Sequence, residues 1–322
     1  MKALVFQGVQ MPLLYREDYP VPTPPEGWTL VRVAYAAINR RDIWIRQGLY
    51  AGIKAPCILG SDACGYCEGQ RVVINPGLFW GENPEYQSPA FRVLGMPDDG
   101  TFADYVAVPR SNIYPAPSHL DEVQAAALPL AGVTAYRALF TRGKLQPQHT
   151  VLITGIGGGV AHLAMKMAIA VGAKVYVSSS QPSYIQQAVE EGAVEGVNYR
   201  EDHWDKQLKQ LCPDGFDLII DSAGGDAFAR LVRLLRYGGR LVTYGGTLGP
   251  VNGLSPQVIF WKQLNILGST MGSDADFQAM LELVERHRIT PDVGRVFPIQ
   301  QGEEAFQWAW KGGRKKTVLQ IR

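Results

Sequence analysis

The residues Gly155-Ile156-Gly157-Gly158-Gly159-Val160 follow a β-branched run, Thr150-Val151-Leu152-Ile153-Thr154. They lead into a segment in which Val160, Leu163, Ala164, Met167, Ala168 and Val171 recur at helical spacing. A strand that breaks into glycines and reopens as a helix suits a dinucleotide pyrophosphate. The turn is tight, the backbone must come close to the phosphates, and the helix turns its unpaired N–H groups and the positive end of its dipole toward them. The same glycine spelling occurs in ordinary strand-to-helix turns, so the neighbouring elements decide the reading. At the end of the next strand-like run, where an acidic residue would hold the ribose of NAD, stand Ser178, Ser179 and Ser180. No carboxylate is there to repel a 2′-phosphate, and three hydroxyls are there to bind it. Tyr199 and Arg200 follow the third strand-like step and would close over the adenosine end, so the pattern reads as NADPH in preference to NADH.

These residues need a scaffold, and the chain supplies one. Strand-like steps at Thr150–Thr154, Lys174–Ser179, Val197, Phe216–Asp221, Arg240–Tyr244 and Leu264–Leu267 are separated by helical stretches, among them Ser183–Glu191, Trp204–Leu211 and Ala227–Leu235. That alternation predicts an α/β fold with a doubly wound parallel sheet. Strand ends in such a sheet line the ligand, which nominates Ala223, Gly224, Gly245, Gly246, Thr247, Ser269 and Met271 as backbone contacts. The first part of the chain differs. Short β-type runs at Leu30–Ala34, Arg71–Ile74 and Tyr105–Val108 lie among proline and glycine turns, which predicts a mainly antiparallel domain. Asp276–Glu285 is amphipathic and Lys316–Ile321 is strand-like, so the chain is expected to return to its first domain. The expected division is 1–116 completed by 288–322, with the nucleotide domain at 117–287 and the ligand in a cleft between.

With 322 residues, 46% of them hydrophobic, the chain can bury a large core. Thirty-one basic and thirty acidic side chains leave a net charge of +1, and the longest run of one sign is Arg314-Lys315-Lys316. That balance gives no support to nucleic-acid or membrane-surface binding. Met1–Gly8 reads as a strand and turn, and no apolar run reaches the ~20 residues of a membrane span, so a soluble cytoplasmic protein is expected. Cys64 and Cys67 form a single CxxC, while Cys57 and Cys212 stand alone. Without a second pair or paired histidines, the CxxC reads as buried or incidental.

Further motifs occur in order along the chain: Asn39-Arg40-Arg41-Asp42, Arg46-Gln47-Gly48-Leu49-Tyr50, Gly60-Ser61-Asp62 and Gly100-Thr101-Phe102-Ala103-Asp104-Tyr105-Val106. Leu128-Pro129-Leu130-Ala131-Gly132-Val133-Thr134-Ala135-Tyr136, Asp221-Ser222-Ala223-Gly224-Gly225 and Gly238-Gly239-Arg240-Leu241-Val242 complete the set. With the glycine loop they resemble the medium-chain dehydrogenase/reductase superfamily over nearly the whole chain, and within it the zinc-independent quinone oxidoreductase branch. The resemblance implies a Rossmann nucleotide domain, a GroES-like catalytic domain and a homodimer formed through edge strands. It also implies that Asn39 and Thr134 contact the nicotinamide side of the cofactor. Zinc-bearing members carry cysteine where this chain has Asn39, histidine where it has Ser61, and a third ligand near Leu130–Ala131; all three are absent here. The Pro76–Gly100 stretch likewise lacks the four cysteines of a structural zinc lobe. Two departures stand out. The segment Gly65–Gly69 is shorter than in the family, and Gln181-Pro182-Ser183-Tyr184 replaces a lysine common after the second strand.

Hydride transfer without zinc favours acceptors that spread charge by themselves, such as quinones and α,β-unsaturated carbonyls, with hydrogen-bond donors and a proton supplied by the protein or solvent. Candidate donors are Asn39, Tyr50 and Arg41, with Thr134 orienting the carboxamide; Tyr50 is either proton donor or pocket wall. Arg41 stands where zinc-dependent relatives carry the Ser/Thr of a proton relay. Phe79, Trp80, Tyr86 and Phe91 either wall an apolar pocket or pack their own lobe. His162 and His203 read as structural or surface groups. Competing functions are a non-catalytic NADPH-binding protein, an alcohol dehydrogenase using other metal ligands, and an S-adenosylmethionine-dependent methyltransferase. The last wants a ribose carboxylate where the serines stand and leaves the first domain without a role. Replacing Asn39 by Ala is expected to reduce quinone turnover more than it reduces folding stability; an unchanged rate would remove Asn39 from the site.

Overall fold

The strand Trp28–Ile38 is long enough to take different partners along its length, and the first domain is assembled around it. The computed structural model describes residues 1–312 and 315–322; Arg314, part of the basic run noted in the sequence, lies outside the described residues. These form two compact units, Met1–Val133 with Gly272–Arg322, and Thr134–Met271.

In chain order the elements are β1 (Ala3–Phe6), β2 (Leu14–Arg16), β3 (Trp28–Ile38), α1 (Arg40–Gln47), β4 (Cys57–Ile58), β5 (Asp62–Cys67) and β6 (Gln70–Ile74). Next come β7 (Gly77–Leu78), β8 (Arg92–Val93), β9 (Tyr105–Pro109), β10 (Ile113–Pro115), α2 (Glu122–Ala126) and α3 (Pro129–Tyr136). The second unit adds β11 (Thr150–Ile153), α4 (Gly159–Ala170), β12 (Lys174–Ser179), α5 (Pro182–Glu190), β13 (Glu195–Asn198), α6 (Trp204–Leu211), β14 (Phe216–Asp221), α7 (Ala227–Leu234), β15 (Leu235–Thr243), α8 (Pro256–Lys262) and β16 (Asn265–Gly268). The chain then closes with α9 (Asp274–His287), β17 (Val293–Pro298), α10 (Gly302–Trp310) and β18 (Lys316–Gln320).

In the first unit the main sheet runs β10-β6-β5-β3-β18-β17, and β9 pairs with the early part of β3. The C-terminal strand does return: Thr317 lies opposite Ile38 and Leu319 opposite Ala36 in antiparallel register. Phe6, Ile45, Phe102, Phe297 and Phe306 fill the core beneath, with Phe102 edge-on to Phe306 at 5.9 Å. The short segment after Gly65 closes as a hairpin, Cys67 pairing with Gln70 across Glu68 and Gly69. Both turn residues have positive φ, +50° and +82°, the two-residue geometry that follows the twist of the flanking strands. Cys64 and Cys67, three apart on β5, point to opposite faces and cannot chelate one ion together. In the Pro76–Gly100 lobe, Trp80 is buried edge-on against Phe91, while Tyr86 is exposed.

The second unit holds a parallel sheet in the order β13-β12-β11-β14-β15-β16, the order of a doubly wound nucleotide fold. Its central strands β11 and β14 are its most buried ones, β14 along its whole length, as expected where helices cover both faces. The bounds of β12, α6 and β14 coincide with the sequence reading. β15 begins at Leu235, ahead of the expected Arg240, because Phe216 pairs with Leu235 before a register shift. Among the described residues no helix is long and apolar enough to cross a membrane.

Gly69 has open space where a Cβ would lie, so substitution there carries only the backbone penalty. Gly69→Ala is expected to cost about 1–2 kcal/mol in chemical denaturation, and an unchanged midpoint would contradict the hairpin geometry.

Candidate active site

In the second unit the glycine loop is held from both sides. The Thr154 hydroxyl donates to Asp221 Oδ1 at 2.6 Å, joining the end of β11 to the end of β14. The other Asp221 oxygen accepts the N–H groups of Ala223 at 3.1 Å and Gly224 at 2.9 Å. Asp221 is therefore buried yet satisfied, and it shapes the turn in which Gly224 and Gly225 take positive φ. The loop after β15 zips onto that turn through Leu248 N–H to Ala223 O at 2.8 Å and Thr247 N–H to Ser222 O at 3.3 Å. At Gly245 a Cβ would lie 2.8 Å from the Ser222 carbonyl, so the close approach of these two loops requires glycine.

Gly155 takes φ +63°, and the buried Ile156 donates its N–H to the Ser178 carbonyl at 3.0 Å, fixing the loop beside β12. Gly158 is the N-cap of α4 and makes no side-chain capping bond, so the opening N–H groups of this helix are left to a ligand. The donor set fits a pyrophosphate at Gly155–Val160. Ser178 and Ser179 are buried, the Ser179 hydroxyl accepting the Gln181 N–H at 3.1 Å, and Ser180 is half-buried. Tyr199 joins the serines through its N–H to Ser179 O at 3.1 Å; its ring and Arg200 are exposed. Thr134 Oγ1 meets Met271 Sδ at 3.9 Å, and Ser269 donates its N–H to Thr243 O at 2.8 Å. The Ser269 hydroxyl is buried without a hydrogen-bond partner, a donor left over at the end of β16. His162 is buried and bonded to Glu191 at 2.7 Å, which accounts for it structurally.

The first unit gathers Asn39, Ser61 and Leu130, the positions at which the family resemblance implies zinc ligands in metal-bearing members, around Asp62 and Arg41. Asn39 caps α1 with its backbone, its N–H bonded to the Asp42 carboxylate at 2.8 Å. Its side chain is turned elsewhere: Nδ2 donates to Asp62 Oδ2 at 2.9 Å, and Oδ1 accepts from Lys316 Nζ at 2.7 Å. Lys316 also reaches Asp62 Oδ2 at 3.1 Å, and the Leu130 N–H reaches Asp62 Oδ1 at 2.7 Å. Asp62 is fully buried and Lys316 is 9% exposed. This set does not suit zinc. It offers an amide, a hydroxyl and one carboxylate whose oxygens are both engaged, beside an ammonium that repels a second cation.

Arg41 is buried and tied by NH1 to Ser61 Oγ and Leu94 O, each at 2.9 Å, and by NH2 to Met96 O at 3.3 Å. Its guanidinium lies 5.2 Å from the centre of the half-buried Tyr50 ring. Arg41 thus fastens the 94–96 segment to α1. The structure brings Asn39 to Asp62, and Arg41 to Ser61 and Tyr50. The residues that sequence reasoning missed are Lys316, Asp62 as the hub of the cluster, and Asp221 as the loop anchor. An aspartate at a strand end, or directly after a Gly-Ser pair, was the available signal for the last two. For Lys316 no local signal exists.

Comparison with known proteins shows what the chain is similar to. Residues 25–118 match the alcohol dehydrogenase GroES-like domain family, and residues 159–286 match the zinc-binding dehydrogenase family. A zinc-type alcohol dehydrogenase-like protein, YogA, of Leptosphaeria maculans is 36% identical over 301 residues, covering 85% of this chain and 84% of that protein. The crystal structure of an NAD-dependent alcohol dehydrogenase superposes with a TM-score of 0.91 at 31% identity, covering 100% of both chains. A quinone oxidoreductase from Thermus thermophilus, solved also in complex with NADPH, superposes with a TM-score of 0.82 at 28% identity, covering 99% of this chain and 100% of that one.

One acid in the cluster sets a pH dependence. Burial pushes the Asp42 carboxyl up from 3.8 to about 6, partly offset by Arg41 and the Asn39 N–H. The folded chain then holds this proton more tightly than the unfolded chain, so the Asp42 contribution to stability is present at low pH, declines between about 4 and 6, and is level above. Relative to Asp42→Asn, the wild type is expected to lose stability across that window in denaturant titrations; parallel pH profiles would contradict it.

Proposed function

The chain belongs to the medium-chain dehydrogenase/reductase superfamily, and on that basis we propose that it is a metal-independent oxidoreductase transferring hydride from NADPH to a quinone or an α,β-unsaturated carbonyl. The observation that carries this reading is the donor set at Asn39, Ser61 and Asp62, which is filled by hydrogen bonds and a lysine and is unsuited to zinc. Such a site lacks the means to lower the pKa of a simple alcohol, and acceptors that delocalise charge over their own atoms need only oriented donors.

NADPH, when bound, supplies the hydride. The chain's own residues divide the rest of the work. Gly155–Val160 and the N-terminus of α4 bind the pyrophosphate, and Ser178, Ser179 and Ser180 with Tyr199 and Arg200 take the 2′-phosphate end. Thr134, Ser269 and Met271, with the backbones of Ala223, Gly224, Gly245, Gly246 and Thr247, border the nicotinamide half. Asn39 offers an amide N–H to the acceptor oxygen, and Tyr50 walls the pocket or gives up a proton to that oxygen. The homodimer reading draws support from β16, an edge strand of its sheet, and from the exposed Phe260 and Trp261 on the adjoining α8.

The test is oxidation of NADPH by the purified protein with benzoquinone, phenanthrenequinone and a short enone as acceptors, and with NADH in comparison. The reading expects turnover that favours NADPH; tight NADPH binding with no turnover for any acceptor would instead mark a non-catalytic binding protein. Ser180→Asp places a carboxylate at the ribose position and is expected to weaken NADPH binding about tenfold or more while leaving NADH binding within a few-fold. An unchanged ratio of the two dissociation constants would argue against the phosphorylated cofactor.

A further inference from the structure

The bonds around Asn39 determine its orientation as well as its place. Its amide oxygen receives the Lys316 ammonium and its amide nitrogen faces the Asp62 carboxylate. Reversed, the oxygen would meet a carboxylate and the NH2 group would meet an ammonium, so the cluster admits one orientation. One of the two amide N–H bonds is committed to Asp62. Among the described residues the other has only the Ala37 carbonyl, at 3.5 Å, the outer limit of a hydrogen bond. A weakly used donor is therefore held at a fixed angle by strongly used neighbours. Lys316 arrives there by sheet register: Thr317 lies opposite Ile38, so the preceding residue of β18 falls beside Asn39 at the end of β3. Asp62 opens β5, and its Cα partner on β3 is Ala37.

We propose that Lys316 is a positioning residue of the acceptor site: its ammonium, acting with Asp62, holds the Asn39 amide so that it presents N–H, and not C=O, to the acceptor oxygen. This rests on the reductase reading, because a carbonyl that accepts hydride gathers negative charge on oxygen and needs a preorganised donor there. Removing Lys316 leaves the Asn39 oxygen without its donor and Asp62 without its countercharge, so the amide is held from the Asp62 side alone and its donor is no longer fixed at one angle.

The experiment compares wild type with Lys316→Met, Lys316→Arg and the charge-neutral pair Lys316→Met/Asp62→Asn, using NADPH and benzoquinone. Lys316→Met is expected to lower kcat about 100-fold, with KM for NADPH changed less than about twofold, and Lys316→Arg is expected to recover part of the loss. The double variant buries no unpaired charge, so it keeps the test open if Lys316→Met fails to fold; it is expected to fold and to show the same loss in kcat. Wild-type kcat in either folded variant would overturn the proposal. The Asn39 side-chain amide resonances, assigned by their absence in Asn39→Ala, provide a readout independent of turnover. They are expected to shift when Lys316 is replaced, and unchanged resonances would also overturn it. A wild-type protein that turns over no acceptor defeats the reductase reading alone, since the amide resonances still decide whether Lys316 orients Asn39.

Discussion

The buried ion pair between Asp62 and Lys316 is the interaction on which the first unit's site depends. A carboxylate with no solvent exposure is costly unless its oxygens are paired, and here one takes the Leu130 N–H while the other takes Asn39 and Lys316. The arrangement demands three strands in register and the opening turn of α3 in the right place. It also bears on what the site can bind, because an ammonium already inside it repels a further cation. On the proposed reading, the fixed hydrogen-bond donors of this site take the role that a Lewis acid would play.

The nucleotide unit solves a comparable problem with a second buried aspartate. Asp221 takes the Thr154 hydroxyl on one oxygen and two backbone N–H groups on the other, so a charge at the end of β14 fixes two loops at once. In both units a carboxylate at a strand terminus ties separate segments together, two loops at Asp221 and β3, β18 and α3 at Asp62. Arg41 contributes in the same manner with opposite charge, fastening the 94–96 segment through backbone carbonyls.

The nucleotide unit was largely legible in the sequence because its signals are local. Lys174–Ser179 holds a Val-Tyr-Val run and Phe216–Asp221 a Leu-Ile-Ile run buried along its whole length, and Trp204–Leu211 has a clear apolar stripe, so their bounds could be read directly. The first unit was less legible because its strands are short and its partners distant. β4, β7 and β8 have two residues each and carry no periodicity. Asn39, Asp62 and Ser61 stood out by motif, but Lys316 is separated from Asn39 by 277 residues and joins it only through the pairing of β18 with β3. A lysine beginning a terminal strand reads as surface until that register is known. The Glu68-Gly69 turn shows the converse: the segment departed from its family, yet two residues with left-handed φ are sufficient to close the hairpin.

Metal content measured together with turnover tests the central claim most directly. Protein dialysed against a strong chelator, then assayed by elemental analysis and by NADPH oxidation with a quinone, is predicted to hold no stoichiometric zinc and to keep its full rate. Tightly bound zinc near one ion per chain, with activity lost on its removal and restored on its return, would contradict it.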